Sequence, residues 1–239
     1  MSVSAETTPR NANRLLAALP PRKYRWLLSS LQPVHLSVGR VLHEAGQHVR
    51  YVYFPNDSMI SLIAARADES RSVEVGVIGR DGMTGVLAVL GYPEALYRLL
   101  VQLPGTAMRA GVEEVREAAR LDGPFRGLVS DYTRALLVQL TCSCVCNCFH
   151  TLEQRLARWI LITGDYAESD EFAMKQEFMA QMLGARRTAV TQTACKLQRD
   201  GLINYQRGVV RIADRDKLGS LSCHCYRIIR NSLDSILEE

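Results

Sequence analysis

The chain has 239 residues, of which 47% are apolar and 23% charged, with a formal net charge of +4. That is room for about two packed domains, and it excludes a wholly disordered protein. The start, MSVSAETTPRNANR, holds no apolar core of signal-peptide length, and the most apolar run, Ala135 to Phe149, is too short and too polar to cross a bilayer. A soluble, cytoplasmic protein is expected, with seven reduced cysteines rather than a disulfide framework.

Residues 1 to 12 read as a tail. Asn13 to Leu31 has helical spacing, interrupted at Pro20-Pro21, where proline can open a helix but not continue one. From Val34 the texture changes to short strands with turn punctuation: VHLSV, RYVYF, SMISLIAAR, SVEVGVI, LYRLLVQL and TAMRA. Such spacing predicts an antiparallel sandwich or roll. Val112 to Ala119 reads as a short helix, and Pro124 opens a long one over Phe125 to Phe149. The apolar residues of that helix spread over two sides, which requires two partners. The roll on one side and a symmetry mate on the other satisfy this as a two-fold dimer, and full burial within one chain is the competing arrangement.

Thr151-Leu152-Glu153-Gln154 is a capping-box sequence, so a new helix begins there and runs to about Tyr166, making Phe149-His150 a hinge. Two further helical patterns, Gln176 to Leu183 and Arg186 to Arg199, sit back to back around Gly184, a helix stop. The second buries Val190, Ala194 and Leu197 and turns Arg187, Thr188, Thr191 and Gln192 outward. This is the pattern of a helix-turn-helix, against the alternative of an ordinary helical hairpin. Leu202 to Tyr205 and Val209 to Ala213 read as a hairpin wing around Gln206-Arg207-Gly208, and Arg215 to Leu237 as one helix. Between Gly184 and Arg211 stand six cations (Arg186, Arg187, Lys196, Arg199, Arg207 and Arg211) against Asp200 alone, a concentration that fits phosphate contact.

Cys142, Cys144, Cys146 and Cys148 alternate, but on a helix they cannot all surround one metal. Cys144 and Cys148, four residues apart, can join their counterparts on a partner helix in a four-thiolate site suited to zinc or another soft metal; the plainer reading is small apolar filling at a tight seam. His150 reads as a surface or capping side chain, and Cys223-His224-Cys225 as helix packing with its thiols pointing apart. Cys195 continues the outward stripe of the second helix, where oxidation would set negative charge against phosphate. No phosphate-binding loop, HExxH or GxSxG is present, so an enzyme is not expected.

The order of parts resembles the Crp/Fnr family of bacterial transcription regulators over about residues 30 to 225, most specifically in LEQRLARWIL, FMAQMLGARRTAVTQTACKLQRDGLI and RGVVRIAD. The resemblance implies an α+β fold: a cyclic-nucleotide-binding-like roll over residues 1 to 121, a dimerisation helix over 122 to 149 and a winged helix-turn-helix over 150 to 239. It also implies a homodimer that binds a double-stranded DNA operator and works with RNA polymerase. By match to the family's reading positions, Arg187, Thr188 and Gln192 contact base edges. Arg187 suits guanine O6 and N7, Gln192 suits adenine N6 and N7, and Thr188 offers a weaker contact. Arg186, Lys196 and Arg207 are placed for phosphates, with Gln176 at the first helix's start and Thr191 on the same outward face. Two family signatures are missing. The turn Gly82-Met83-Thr84-Gly85 has Met where cyclic-nucleotide binders hold the ribose with a carboxylate, and the phosphate-binding pair falls on Tyr97-Arg98. The first cysteine is Cys142, so the N-terminal iron–sulfur site is absent. Neither cAMP nor that cluster is expected as effector; a soft metal or thiol redox chemistry is the alternative signal.

Overall fold

The computed structural model describes residues 13–236 apart from 21–24, 26, 28, 66–71 and 122, so the expected N-terminal tail lies outside the described residues. The pattern over 13 to 31 becomes a single turn, α1 (Arg14–Ala17), followed by helical positions at 25, 27, 29 and 30. Asn13 starts α1 by accepting a hydrogen bond from the Leu16 N–H, and Pro20 separates the two pieces as proline should.

Strands β1 (Gln32–Leu36), β7 (Gly105–Gly111) and β3 (Tyr51–Pro55) pair in that order in one sheet. A second runs β2 (Val41–His43), β6 (Arg98–Leu103), β4 (Met59–Ala65) and β5 (Ser72–Ile78). Every pairing is antiparallel, and Leu36, Phe54, Met59, Ile60 and Ile63 are buried in the core. This is the roll that the strand spacing predicts. Strand β2 and the one-turn helix α2 (Val86–Val89) carry no sequence signal, because three or four residues cannot establish a period.

Helix α3 (Val112–Leu121) leads into α4 (Gly123–Phe149), whose buried side includes Phe125, Val129, Tyr132, Leu136, Gln139, Cys142 and Cys146. Two devices fasten α4 to the roll. Gln139 Oε1 accepts the Val77 N–H at the edge of the second sheet. Gly82 lies so near Tyr132 that a Cβ there would clash with the ring edge, so the turn after β5 favours glycine against the helix. Helix α5 (Leu152–Ala167) starts at the expected capping box, with Thr151 and Gln154 bonded reciprocally. It buries Leu156, Trp159, Ile160 and Thr163.

The structure corrects the C-terminal segment. Instead of one helix from Arg215 there are two, α8 (Arg215–Leu221) and α9 (Cys225–Asp234), with Ser222 extended at φ −63°, ψ 158° between them. Ser222 donates its hydroxyl to the Gly219 carbonyl, the local bond by which serine competes with helix continuation. The break lets α9 turn back along α4, with Ile229 and Leu233 buried. A partner not anticipated from sequence, α9, therefore covers part of α4 besides the roll. Arg14, Asp81, Arg230 and Asp165 hold this corner by ion pairs, Arg14 to Asp81 at 3.0 Å and Arg230 to Asp165 at 3.6 Å. Among the described residues no helix is long and apolar enough to cross a membrane.

Candidate nucleic-acid interface and the hinge cysteines

Two helices cross at the expected place. Helix α6 (Gln176–Met182) ends into Gly184, whose φ of +59° is the left-handed conformation that glycine adopts at least cost, and α7 (Arg187–Arg199) follows. Val190, Ala194 and Leu197 of α7 are buried, which fixes the rotation of the helix. Arg187, Thr188, Gln192 and Cys195 are consequently exposed along one stripe, and Arg186 at the N-cap is exposed beside them. Arg187 and Gln192 thus stand five residues apart on the broad exposed side of α7.

Three of the predicted contact residues are engaged within the chain. Thr191 Oγ1 lies 2.8 Å from Gln176 Oε1, to which it donates, and 2.9 Å from the Arg187 carbonyl, so this pair ties the two crossed helices together. Lys196 Nζ lies 2.7 Å from Glu153 Oε2 on α5, which offsets its charge in an exposed, weak pair. The wing is larger than predicted: β9 (Ile203–Gln206) and β10 (Val209–Ile212) pair around Arg207-Gly208, and a further strand, β8 (Glu171–Ala173), lies on the other side of β10. Arg207 at φ +51° and Gly208 at φ +79° make the two-residue hairpin turn in which both central residues are left-handed. Arginine is disfavoured there, and the conformation holds an exposed cation at the tip of the wing.

At the hinge, α4 ends at Phe149 and α5 begins at Leu152, and Arg155 bridges the junction. Its guanidinium donates to Asn147 Oδ1 at the end of α4 and to the Leu183 carbonyl at the end of α6, so hinge and helix-turn-helix share one side chain. The turn itself rests on the roll: Gln181 donates to Ser72, and Gly184 packs against Val73 of β5.

The cysteines are distributed differently from the expectation. Cys144 and Cys148 are exposed, while Cys142 and Cys146 face inward. The Ser222–His224 break brings the CxC pair back, so that Cys223 and Cys225 converge on α4 instead of pointing apart; Cys146 and Cys223 are 3.5 Å from sulfur to sulfur. His150 is half-buried, with Nδ1 3.5 Å from the Cys146 sulfur, and is not a surface or capping side chain. The His224 ring meets it edge-on at 5.5 Å. Cys223 is held well below the usual thiol range, first by its hydrogen-bonding contact with Cys146 and further by the Arg158 guanidinium, whereas the same contact and burial push Cys146 up. Nothing in the spacing CxCxCxC with a distant CxC shows this grouping; the i, i+4 placement of Cys146 and His150 is the one local signal.

In the roll, Met83 is fully buried and Arg98 Nε lies 2.6 Å from Glu44 Oε2. The neighbouring cavity is lined by His43, Leu62, Met83, Leu99 and Leu136 among others. A cyclic nucleotide needs a ribose acceptor and a cation for its phosphate. Here the ribose-acceptor position is apolar, and Arg98, the cation of the expected phosphate pair, has a carboxylate partner, so these residues do not fit that group.

These parts define an antiparallel roll joined through a long helix to a winged helix-turn-helix. Residues 154–221 match the Crp-like helix-turn-helix domain, and the structural neighbours of the chain include transcriptional regulators of the Crp/Fnr family. FixK2 from Bradyrhizobium japonicum is 14% identical with a TM-score of 0.70, over 81% of this chain and 98% of that one. The c-di-GMP-responsive global regulator CLP of Xanthomonas campestris is 16% identical with a TM-score of 0.67, over 82% and 100%. A protein from Eubacterium rectale described as a Crp/Fnr transcriptional regulator is 16% identical with a TM-score of 0.66, over 89% and 99%. No curated protein sequence matches the chain.

Proposed function

We propose that this protein is a homodimeric, sequence-specific DNA-binding transcription regulator of the Crp/Fnr type, gated by a signal other than cAMP. The observation that carries the reading is the exposed stripe Arg187, Thr188 and Gln192 above the buried Val190, Ala194 and Leu197. Arg187 reads guanine and Gln192 adenine, while Arg186 and Arg207 reach phosphates. Gln176, Thr191 and Lys196 act less directly, by setting the crossing of the helices and by exchanging Glu153 for a phosphate. Residues 1–121 sense, 122–149 dimerise and 150–239 bind DNA and, with RNA polymerase, set transcription.

Dimerisation is supported by the outer side of α4. Gly127, Ser130, Arg134, Leu137, Thr141, Cys144 and Cys148 are all exposed and recur at alternating intervals of three and four, the spacing of a two-helix seam. Leu137 is 59% exposed on this seam, and Phe149 81% exposed at the end of the same helix. The inward thiols at the hinge favour a metal- or thiol-sensing regulator over one gated through the roll cavity.

Selection of genomic fragments with the full-length protein yields the operator. On that operator Arg187→Ala loses preference for the selected sequence, costing about 1–3 kcal/mol, whereas Arg207→Ala weakens all duplex DNA about equally. A footprint unchanged by Arg187→Ala sinks the assignment of the reading helix.

A further inference from the structure

Three sulfurs and one imidazole converge where the long helix ends. Cys146 and His150 are i, i+4 neighbours at the end of α4, and Cys223 and Cys225 flank the break between α8 and α9. Their ligand atoms all lie within 4.8 Å of one another, and the three cysteines are buried. A tetrahedral ion with sulfurs at about 2.3 Å sets those sulfurs about 3.8 Å apart, so closing the set needs movements of roughly 1 Å or less. An iron–sulfur cluster spreads its thiolates over two or more irons and needs a more open set.

We infer that Cys146, His150, Cys223 and Cys225 form a site for a single soft divalent cation of the zinc type, which staples the end of α4 to the C-terminal helices across the hinge. The donor set, three thiolates and one imidazole, is one that such ions occupy with closed tetrahedral coordination. Arg158 and Arg155 stand close enough to act on these sulfurs and offset the net negative charge of three thiolates on one divalent ion. Cys142, also buried and near Cys225, is a spare thiol beside the four ligands. A seam filled by cysteine for packing alone would have no use for an imidazole turned toward sulfur. On binding, the ligand thiols give their protons to solvent and form metal–sulfur bonds, so affinity rises with pH. A cleft lined by Cys223, His224 and Tyr226 gives access from outside.

The position gives the site its use. Arg155 joins the same hinge to the helix-turn-helix, so an ion that fixes residues 146 to 151 also fixes the reading helix relative to the dimer helix. That consequence rests on the proposed DNA-binding function; the metal site does not.

The test uses full-length protein purified without oxygen, stripped by chelator and titrated with Zn²⁺ and Co²⁺. One ion per chain is expected, with Co²⁺ giving thiolate charge-transfer absorption and the intense visible bands of tetrahedral coordination. Cys146→Ser and Cys223→Ser should weaken Zn²⁺ binding more than about 100-fold, beyond the range typical of outer-shell changes. The double variant Cys144→Ser/Cys148→Ser should bind as wild type. Should the first two variants fail to fold, the cobalt spectrum of the wild-type chain decides, because it counts thiolates without any substitution. Three results overturn the site: no stoichiometric ion, an ion lost with Cys144 and Cys148 instead, or iron accompanied by inorganic sulfide. Hydrogen exchange should slow at residues 146–151 and 222–226 when Zn²⁺ binds, and no slowing overturns the staple. A protein that binds Zn²⁺ in this way but no duplex DNA in either metal state keeps the site and removes the DNA-binding reading.

Discussion

The two sides of helix α4 use the same kinds of residue for opposite purposes. Its inner side sets Phe125, Val129, Tyr132 and Cys146 in a dry interior against the roll and α9. Its outer side leaves Leu137, Thr141, Cys144 and Cys148 in solvent. Cys146 and Cys148 are two residues apart in sequence, yet one joins a buried group of donors and the other faces out, because about 100° per residue turns alternate positions to opposite sides. Residue type therefore says little about a helical cysteine until the neighbours of its side are known.

Substitutions can break this contrast. The largest effect belongs to the inner side: Phe125→Ala should destabilise the chain by about 3–5 kcal/mol in urea unfolding, since a buried ring is lost and a cavity remains. Leu137→Ala should change stability by about 0.5 kcal/mol or less under monomeric conditions; equal losses at the two sites would erase the distinction between the sides.

Glu74 sharpens the inner side by pH. Half-buried on β5 where it faces α5, with Oε2 out of contact with solvent, it is bonded by Trp159 Nε1 at 3.0 Å, and burial of the carboxyl pushes its pKa up from 4.5 to about 7. The native state then holds the proton more tightly than the unfolded chain. The stabilisation is complete below pH 4.5 and fades as pH rises to about 7, a span of roughly 3 kcal/mol. Measured as wild type minus Glu74→Gln, that slope should appear between pH 4.5 and 7; a flat difference would mean that water reaches the carboxyl.

On the outer side, Leu137→Asp should weaken self-association about tenfold or more, ~1.4 kcal/mol, in sedimentation equilibrium, with the folded chain intact. An unchanged dimer places the seam elsewhere. The smallest effect concerns Cys195, which is exposed on the reading stripe. Cys195→Ser should bind DNA like wild type when untreated and resist peroxide, whereas the wild type should lose binding as negative charge accumulates against phosphate. Equal inhibition of both proteins assigns the oxidation to another residue.

Much of the frame was legible because it repeats locally. Period-2 strands, the Thr151–Gln154 box, Gly184 at a helix stop and the buried triplet Val190, Ala194 and Leu197 each state their structure within a few residues. Elements too short to show a period, such as β2 and β8, were not legible. Neither was the break at Ser222, where helical spacing continues through the sequence but a local hydroxyl bond and the packing of α9 on α4 prevail. The amino-acid sequence by itself determined the order of parts, the helix break at Phe149-His150 and which side chains of α7 are buried, since these follow from neighbours within one or two turns; Thr191, expected to face outward, is half-buried against Gln176. Only the tertiary structure decided which cysteines meet, what covers α4, and that Gln176, Thr191 and Lys196 are bonded within the chain. The Gln176–Thr191, Glu153–Lys196 and Cys146–Cys223 contacts join residues 15, 43 and 77 positions apart, and no short-range pattern encodes a meeting that depends on how whole helices dock.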